Sequence, residues 1–144
     1  MKKTIKFVAV FAAAALAFGA APAATAATAT KACLALDTGG VDDKSFNASA
    51  WAGAQAAAKA NSNVTVKYLA ATSDADYAPN LQSFIDKGCD IIVTVGFLLA
   101  DATKAAAEAN PSVQFAIVDS NTSAPNVQGL TFATDQPSFL AGYM

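Results

Sequence analysis

From residue 32 onward the sequence alternates short apolar runs with alanine-rich stretches, and three of the apolar runs end at Asp37, Gly96 and Asp119. This alternation constrains the fold more than any other feature, because strands separated by helices pair in parallel through crossover connections of one hand. Ala32 to Leu36 reads as a first strand, and Phe46 to Ala60 as a first helix that closes at the Asn61-Ser62-Asn63 turn. Val64 to Tyr68 alternates β-branched residues as a second strand, and Tyr77 to Lys87 forms a second helix stopped by Gly88. Asp90 to Val95 is a nearly continuous apolar strand of the kind buried on both faces, and Leu98 to Asn110 is a third helix ending before Pro111. Gln114 to Val118 makes a fourth strand. A turn-rich segment from Ser120 to Asn126 leads to a fifth around Val127 to Ala133, and a further helix begins near Gln136. The pattern predicts an α/β fold, a doubly wound parallel sheet with helices on both faces.

The amino terminus follows a different rule. Lys2, Lys3 and Lys6 precede an apolar stretch from Phe7 to about Ala21, too short to span a bilayer and closed by Gly19, Pro22 and small residues. Residues 1–26 are therefore expected to be a signal peptide cut after Ala24-Thr25-Ala26, with residues 27–144 as the exported α/β lobe. Removing the leader leaves six lysines against eleven acidic residues, a net charge of −5. The first cysteine, Cys33, does not sit where a lipid anchor would be attached, so a freely diffusing exported protein, periplasmic or associated with the cell surface, is expected.

What the chain lacks removes whole mechanisms. It has no arginine and no histidine, so Ser-His-Asp and Cys-His pairs and imidazole metal sites cannot form. An acidic chain whose only cations are lysines offers no phosphate-reading basic face, and nucleic acid is not an expected partner. No metal or other cofactor is implied. In doubly wound sheets ligands bind outside the carboxyl ends of the strands. That rule selects Asp37 to Asn47, Thr72 to Asp76, Gly96-Phe97, Asp119 to Ser123 and Thr134-Asp135.

The densest of these segments runs from Asp37 to Asn47. Its two glycines and helix start could hold polar groups of a ligand, but it is neither a dinucleotide-binding fingerprint nor a P-loop. Asp37 and Asp119 end strands, where a carboxylate accepts hydrogen bonds from hydroxyls or amines, or serves as a turn or cap residue. Phe46 is either an exposed stacking platform or the first core residue of its helix. Asp42 and Asp43 admit an alternative reading, a secreted α/β enzyme with a carboxylate acid or base. No nucleophile–base pair accompanies them, and a turn or capping role competes.

The segments DTGGVDDKSFNASAW, SDADYAPNLQSFIDKGCDIIVTVGF, FAIVD and NVQGLTFATDQPSFLAGY together resemble the basic membrane protein family of substrate-binding proteins, which includes purine nucleoside receptors of ABC importers. The resemblance covers about residues 31 to 144. It implies one lobe of a periplasmic-binding-protein type I fold with sheet order 2-1-3-4-5, the second lobe lying outside this chain. It also implies a receptor that performs no chemistry, captures a purine nucleoside or similar small molecule, and delivers it to ABC permease and ATPase subunits. A sugar receptor of the same fold is the alternative. By this resemblance Phe46 stacks on the base, Asn47 hydrogen-bonds it, Asp37 and Asp119 take polar ligand groups such as ribose hydroxyls, and the Gly96 backbone lines the floor. Cys33 and Cys89 remain open between a disulfide and two buried thiols. In the expected strand order they lie toward the amino-terminal ends of neighbouring strands one and three, and a bridge requires Cα atoms within about 7 Å.

Overall fold

The computed structural model describes residues 28–144, so the expected signal peptide lies outside the described residues. Five strands, β1 (Thr30–Leu36), β2 (Val64–Ala70), β3 (Ile91–Val95), β4 (Gln114–Val118) and β5 (Val127–Leu130), form one sheet in the order β2-β1-β3-β4-β5. Every neighbouring pair is parallel. The strand order and the α/β architecture are those expected from the sequence.

Four α-helices accompany the sheet: α1 (Phe46–Ala60), α2 (Tyr77–Asp86), α3 (Ala100–Ala109) and α4 (Asp135–Tyr143). Alternation along the strands divides the core between two faces. On one face Cys33, Ala35, Ile92 and Phe115 pack beneath Tyr77, Leu81 and Phe84 of α2 and Ala107 of α3. The spacing of the three α2 residues places them on a single helical stripe. On the other face Leu34, Leu36, Val95 and Val118 meet Ala50, Trp51 and Ala54 of α1. The small alanines of α1 favour helix formation strongly but add little apolar area each, so Trp51 supplies much of that contact. Trp51 also packs edge-on against Tyr68 of β2, ring centroids 4.8 Å apart.

Four boundaries differ from the sequence reading by two residues or more. β1 starts at Thr30 and β2 runs on to Ala70, because the two strands pair in register along their whole length. The third helix was expected from Leu98, but Phe97–Leu99 form a 3₁₀ turn and α3 begins at Ala100. Gly96, with φ of 103°, turns the chain sharply out of β3 and delays regular helix by a turn. β5 ends at Leu130 rather than near Ala133, where Phe132 and the residues after it are exposed.

Cys33 and Cys89 are joined by a disulfide, with Cα atoms 6.1 Å apart. It ties the middle of β1 to the entry of β3 and closes off α1, β2 and α2 between them. Around it, Lys31, Lys67 and Lys87 rim a hollow of about 300 Å³.

Candidate functional site

Register decides which residues share the carboxyl edge of the sheet. Leu36, Val95 and Val118 are aligned across β1, β3 and β4. The next residue of each strand, Asp37, Gly96 and Asp119, therefore leaves the sheet at the same level, side by side. Hydrogen bonds continue the alignment past the strand ends: Gly96 N–H donates to Val118 O at 3.1 Å, and Asp119 N–H to Leu130 O at 2.8 Å.

Asp37 is held from one side and open on the other. Its Oδ1 accepts from the Asn47 side-chain nitrogen at 2.6 Å and from the Gly39 N–H at 2.9 Å. Its Oδ2 accepts no hydrogen bond from the described residues and lies over Gly96, where an added Cβ would come within 2.8 Å of it. The absence of a side chain at Gly96 is what leaves room for that oxygen. Asn47 is 0 % exposed, and its amide nitrogen is given to Asp37. The residue expected to meet a ligand is thus enclosed and bonded to Asp37, while its Oδ1 has no partner among the described residues.

Asp119 adopts φ of 64°, left-handed backbone that an aspartate tolerates better than most residues but at a cost of about 1–2 kcal/mol. Its half-buried carboxylate takes part in no hydrogen bond among the described residues, so local bonding does not account for the conformation. Strain of this kind clusters at ligand-binding positions.

Phe46 opens α1 and is 40 % exposed. Its ring meets that of Phe132, centroids 5.6 Å apart and tilted by 46°. The two aromatics, with Ser45, Ser49, Ala50 and Val118, line a hollow of about 510 Å³, within the size range of small-ligand sites. Phe132 escaped the sequence reading because it was counted within the fifth strand. Its place beside Phe46 depends on β5 ending early.

The loops that frame this edge are fixed by their own aspartates. Asp43 accepts from the backbone N–H groups of Ser45, Asn47 and Ala48 at 2.8–3.0 Å and caps α1. Those donors, led by Ala48, lower its pKa against the opposing effect of burial. Asp43 is therefore a helix cap, the role that competed with acid–base chemistry. Asp76 does the same for the β2–α2 loop, accepting from Thr72 Oγ1 at 2.6 Å and from the N–H groups of Thr72 and Ser73, which lower its pKa. No group of three or more carboxylates or thiols among the described residues could hold a metal ion. None of the described helices is long and apolar enough to cross a membrane.

Comparison with known proteins identifies the family to which this chain is similar. The chain is 40% identical over 116 residues to the ABC transporter nucleoside-binding protein BmpA of Lactococcus lactis subsp. cremoris, covering 78% of this chain and 33% of that protein. It is 36% identical over 111 residues to Basic membrane protein A of Borreliella burgdorferi, covering 74% of this chain and 32% of the relative. Among solved structures it is similar to an ABC transporter system solute-binding protein from Aeropyrum pernix K1, with TM-score 0.71 and 28% identity over 78% of this chain and 31% of that one. The chain spans about a third of the length of the curated relatives it matches. The family model for PnrA-like ABC transporter substrate-binding proteins matches residues 30–144. With that match over nearly all of the described residues, on a sheet of the same architecture, this chain belongs to the PnrA-like family of ABC transporter substrate-binding proteins.

Proposed function

We propose that this chain is the amino-terminal lobe of an exported two-lobe receptor that captures a purine nucleoside and presents it to the permease and ATPase subunits of an ABC importer. The observation that carries the reading is the row of Asp37, Gly96 and Asp119 at one sheet edge, with the half-exposed Phe46 ring at the start of the adjoining helix. A planar base needs an aromatic face, and ribose needs acceptors for its hydroxyls. Phe46 supplies the first. Asp119 and the free Oδ2 of Asp37 supply the second. Asn47 serves the ligand through Asp37, whose other oxygen it holds. The name of the Lactococcus relative, a nucleoside-binding protein, supports the same ligand class. The expected leader at residues 1–26 would deliver the receptor outside the cytoplasm.

Calorimetric titration of the full-length protein with inosine, adenosine, guanosine and ribose tests the reading. Nucleosides should bind and ribose alone should not; the reverse result would make the protein a sugar receptor. Phe46→Ala should weaken nucleoside binding by about 1–3 kcal/mol, the range for loss of base stacking. Asp119→Ala should weaken nucleosides more than free bases, which carry no ribose hydroxyls. Equal weakening of both ligand types would remove Asp119 from the ribose role.

A further inference from the structure

The Asp37 carboxylate is fixed by two hydrogen bonds, but a phenylalanine ring at the same edge can be held only by packing. Phe46 stands at the first position of α1 with its ring half in water, where a side chain without a neighbour exchanges rotamers in nanoseconds or less. Phe132 supplies that neighbour. The two ring centroids are 5.6 Å apart and the planes are tilted by 46°, inside the range of roughly 4.5–7 Å at which aromatic pairs attract one another. Neither ring belongs to the core of either sheet face. Phe132 is itself 53 % exposed, so the contact does little for the core, and its effect falls on the orientation of the two rings.

A residue can orient another only if its own place is fixed. The backbone that carries Phe132 meets this condition. Asp119 N–H donates to Leu130 O at 2.8 Å, and Ser120 pairs with Leu130 in an antiparallel bridge, so the end of β5 is bound to the segment that follows β4. Gly129 permits the close approach: a Cβ there would stand 2.7 Å from Ser120 O and 3.0 Å from Asn121 Cα. Beyond the bridge the chain turns at once, Thr134 N–H donating to Phe132 O at 2.9 Å. On the other side of the contact, Asp43 caps α1 through the N–H groups of Ser45, Asn47 and Ala48 and fixes the backbone of Phe46 between them. Both backbones are therefore tied down, and the rings meet from two fixed anchors. The hollow they share is lined by Ser45, Ser49, Ala50 and Val118 and not by Asp37, Gly96 or Asp119. Phe132 thus reaches Phe46 from the α1 flank and leaves the row of acceptors clear.

We infer that Phe132 is a positioning residue of the ligand edge, its ring holding that of Phe46 in one rotamer so that the platform for a planar ligand is formed before the ligand arrives. Binding then does not have to order the ring, which is where preorganisation raises affinity. The consequence for binding rests on the proposed role of Phe46 in base stacking, but the restraint of its ring does not.

Phe132→Ala, Phe132→Tyr, Phe46→Ala and the Phe46→Ala/Phe132→Ala double variant of the full-length protein test this in two arms. In the ligand-free arm, the three-bond couplings about the Cα–Cβ bond of Phe46, read by nuclear magnetic resonance, should report one rotamer in the wild type and in Phe132→Tyr, which keeps the ring. In Phe132→Ala they should move to rotamer-averaged values. Couplings that do not change in Phe132→Ala overturn the inference. In the binding arm, Phe132→Ala should weaken inosine about fivefold in the wild-type background, and less than about twofold where Phe46 is already alanine. Phe132→Tyr should restore the affinity. Equal losses in both backgrounds would make Phe132 a group that acts without Phe46, and that result, like no loss in either, overturns the inference. A wild-type protein that does not bind inosine while the Phe46 couplings still average in Phe132→Ala would sink the nucleoside reading and leave the positioning role standing.

Discussion

Replacing Gly96 by alanine tests how the ligand edge is built. Gly96 has φ of 103° and ψ of 141°, a region that a residue with a side chain occupies at a cost of about 1–3 kcal/mol. A Cβ there would also stand 2.8 Å from Asp37 Oδ2, while ordinary contact begins at 3.4 Å. The carboxylate must then move by roughly 0.5 Å, the tolerance within which a binding group has to be held. It cannot move freely, since Oδ1 is tethered by Asn47 and Gly39, and each strained hydrogen bond forfeits part of its roughly 1–2 kcal/mol. Gly96→Ala should therefore destabilise the full-length protein by about 3–5 kcal/mol. Gly88 is the control, with φ of 65° and no atom within 4 Å of an added Cβ; alanine there should cost only about 1–2 kcal/mol. Urea unfolding of both variants measures the difference, and inosine titration reads displacement of Asp37 as at least a roughly tenfold weakening confined to Gly96→Ala. If the two variants lose the same stability, the close approach of Asp37 to Gly96 does not constrain the edge and the reasoning fails.

Two further predictions concern stability. Replacing Cys33 and Cys89 by alanine removes a link across 56 residues, for which the chain-entropy account gives about 4 kcal/mol; dithiothreitol should lower the wild-type unfolding midpoint and leave that of the variant unchanged, and a loss below about 1 kcal/mol would contradict that account. The pKa values of Asp43 and Asp76 are lowered from 3.8, chiefly by the Ala48 N–H and the Thr72 hydroxyl respectively. Their stabilisation is present above the unfolded-state value and is lost as pH falls through the lower folded values. The thermal midpoint should hold from neutral pH down to about 4 and drop below it. Asp43→Asn and Asp76→Asn should each make that drop shallower, and an equally steep acid limb in both variants would count against their role.

Much of the architecture was legible because its signals are local. Apolar runs and alanine-rich helices can be read a few residues at a time, and the handedness of crossovers leaves few sheet orders for such a pattern. The same logic brought Asp37, Gly96 and Asp119 to one edge, since parallel strands paired in register end at the same level. The delayed start of α3 was less visible. Its cause, the backbone turn at Gly96, is a glycine conformation that composition alone does not specify.

What the sequence by itself determined, then, is which residues reach the edge of the sheet. Only the tertiary structure decided which of them face outward and which turn inward to hold the others. Asn47 and Phe46 are neighbours on one helical turn, yet Asn47 is enclosed against Asp37 while Phe46 meets Phe132 and remains half-exposed. Cys33 found Cys89 across 56 residues of chain. These outcomes depend on loop paths and on partners brought together when both faces of the sheet are packed. Residue type and spacing carry the side chain's chemistry and its face of the strand or helix, but its neighbours are set by closure of the whole chain.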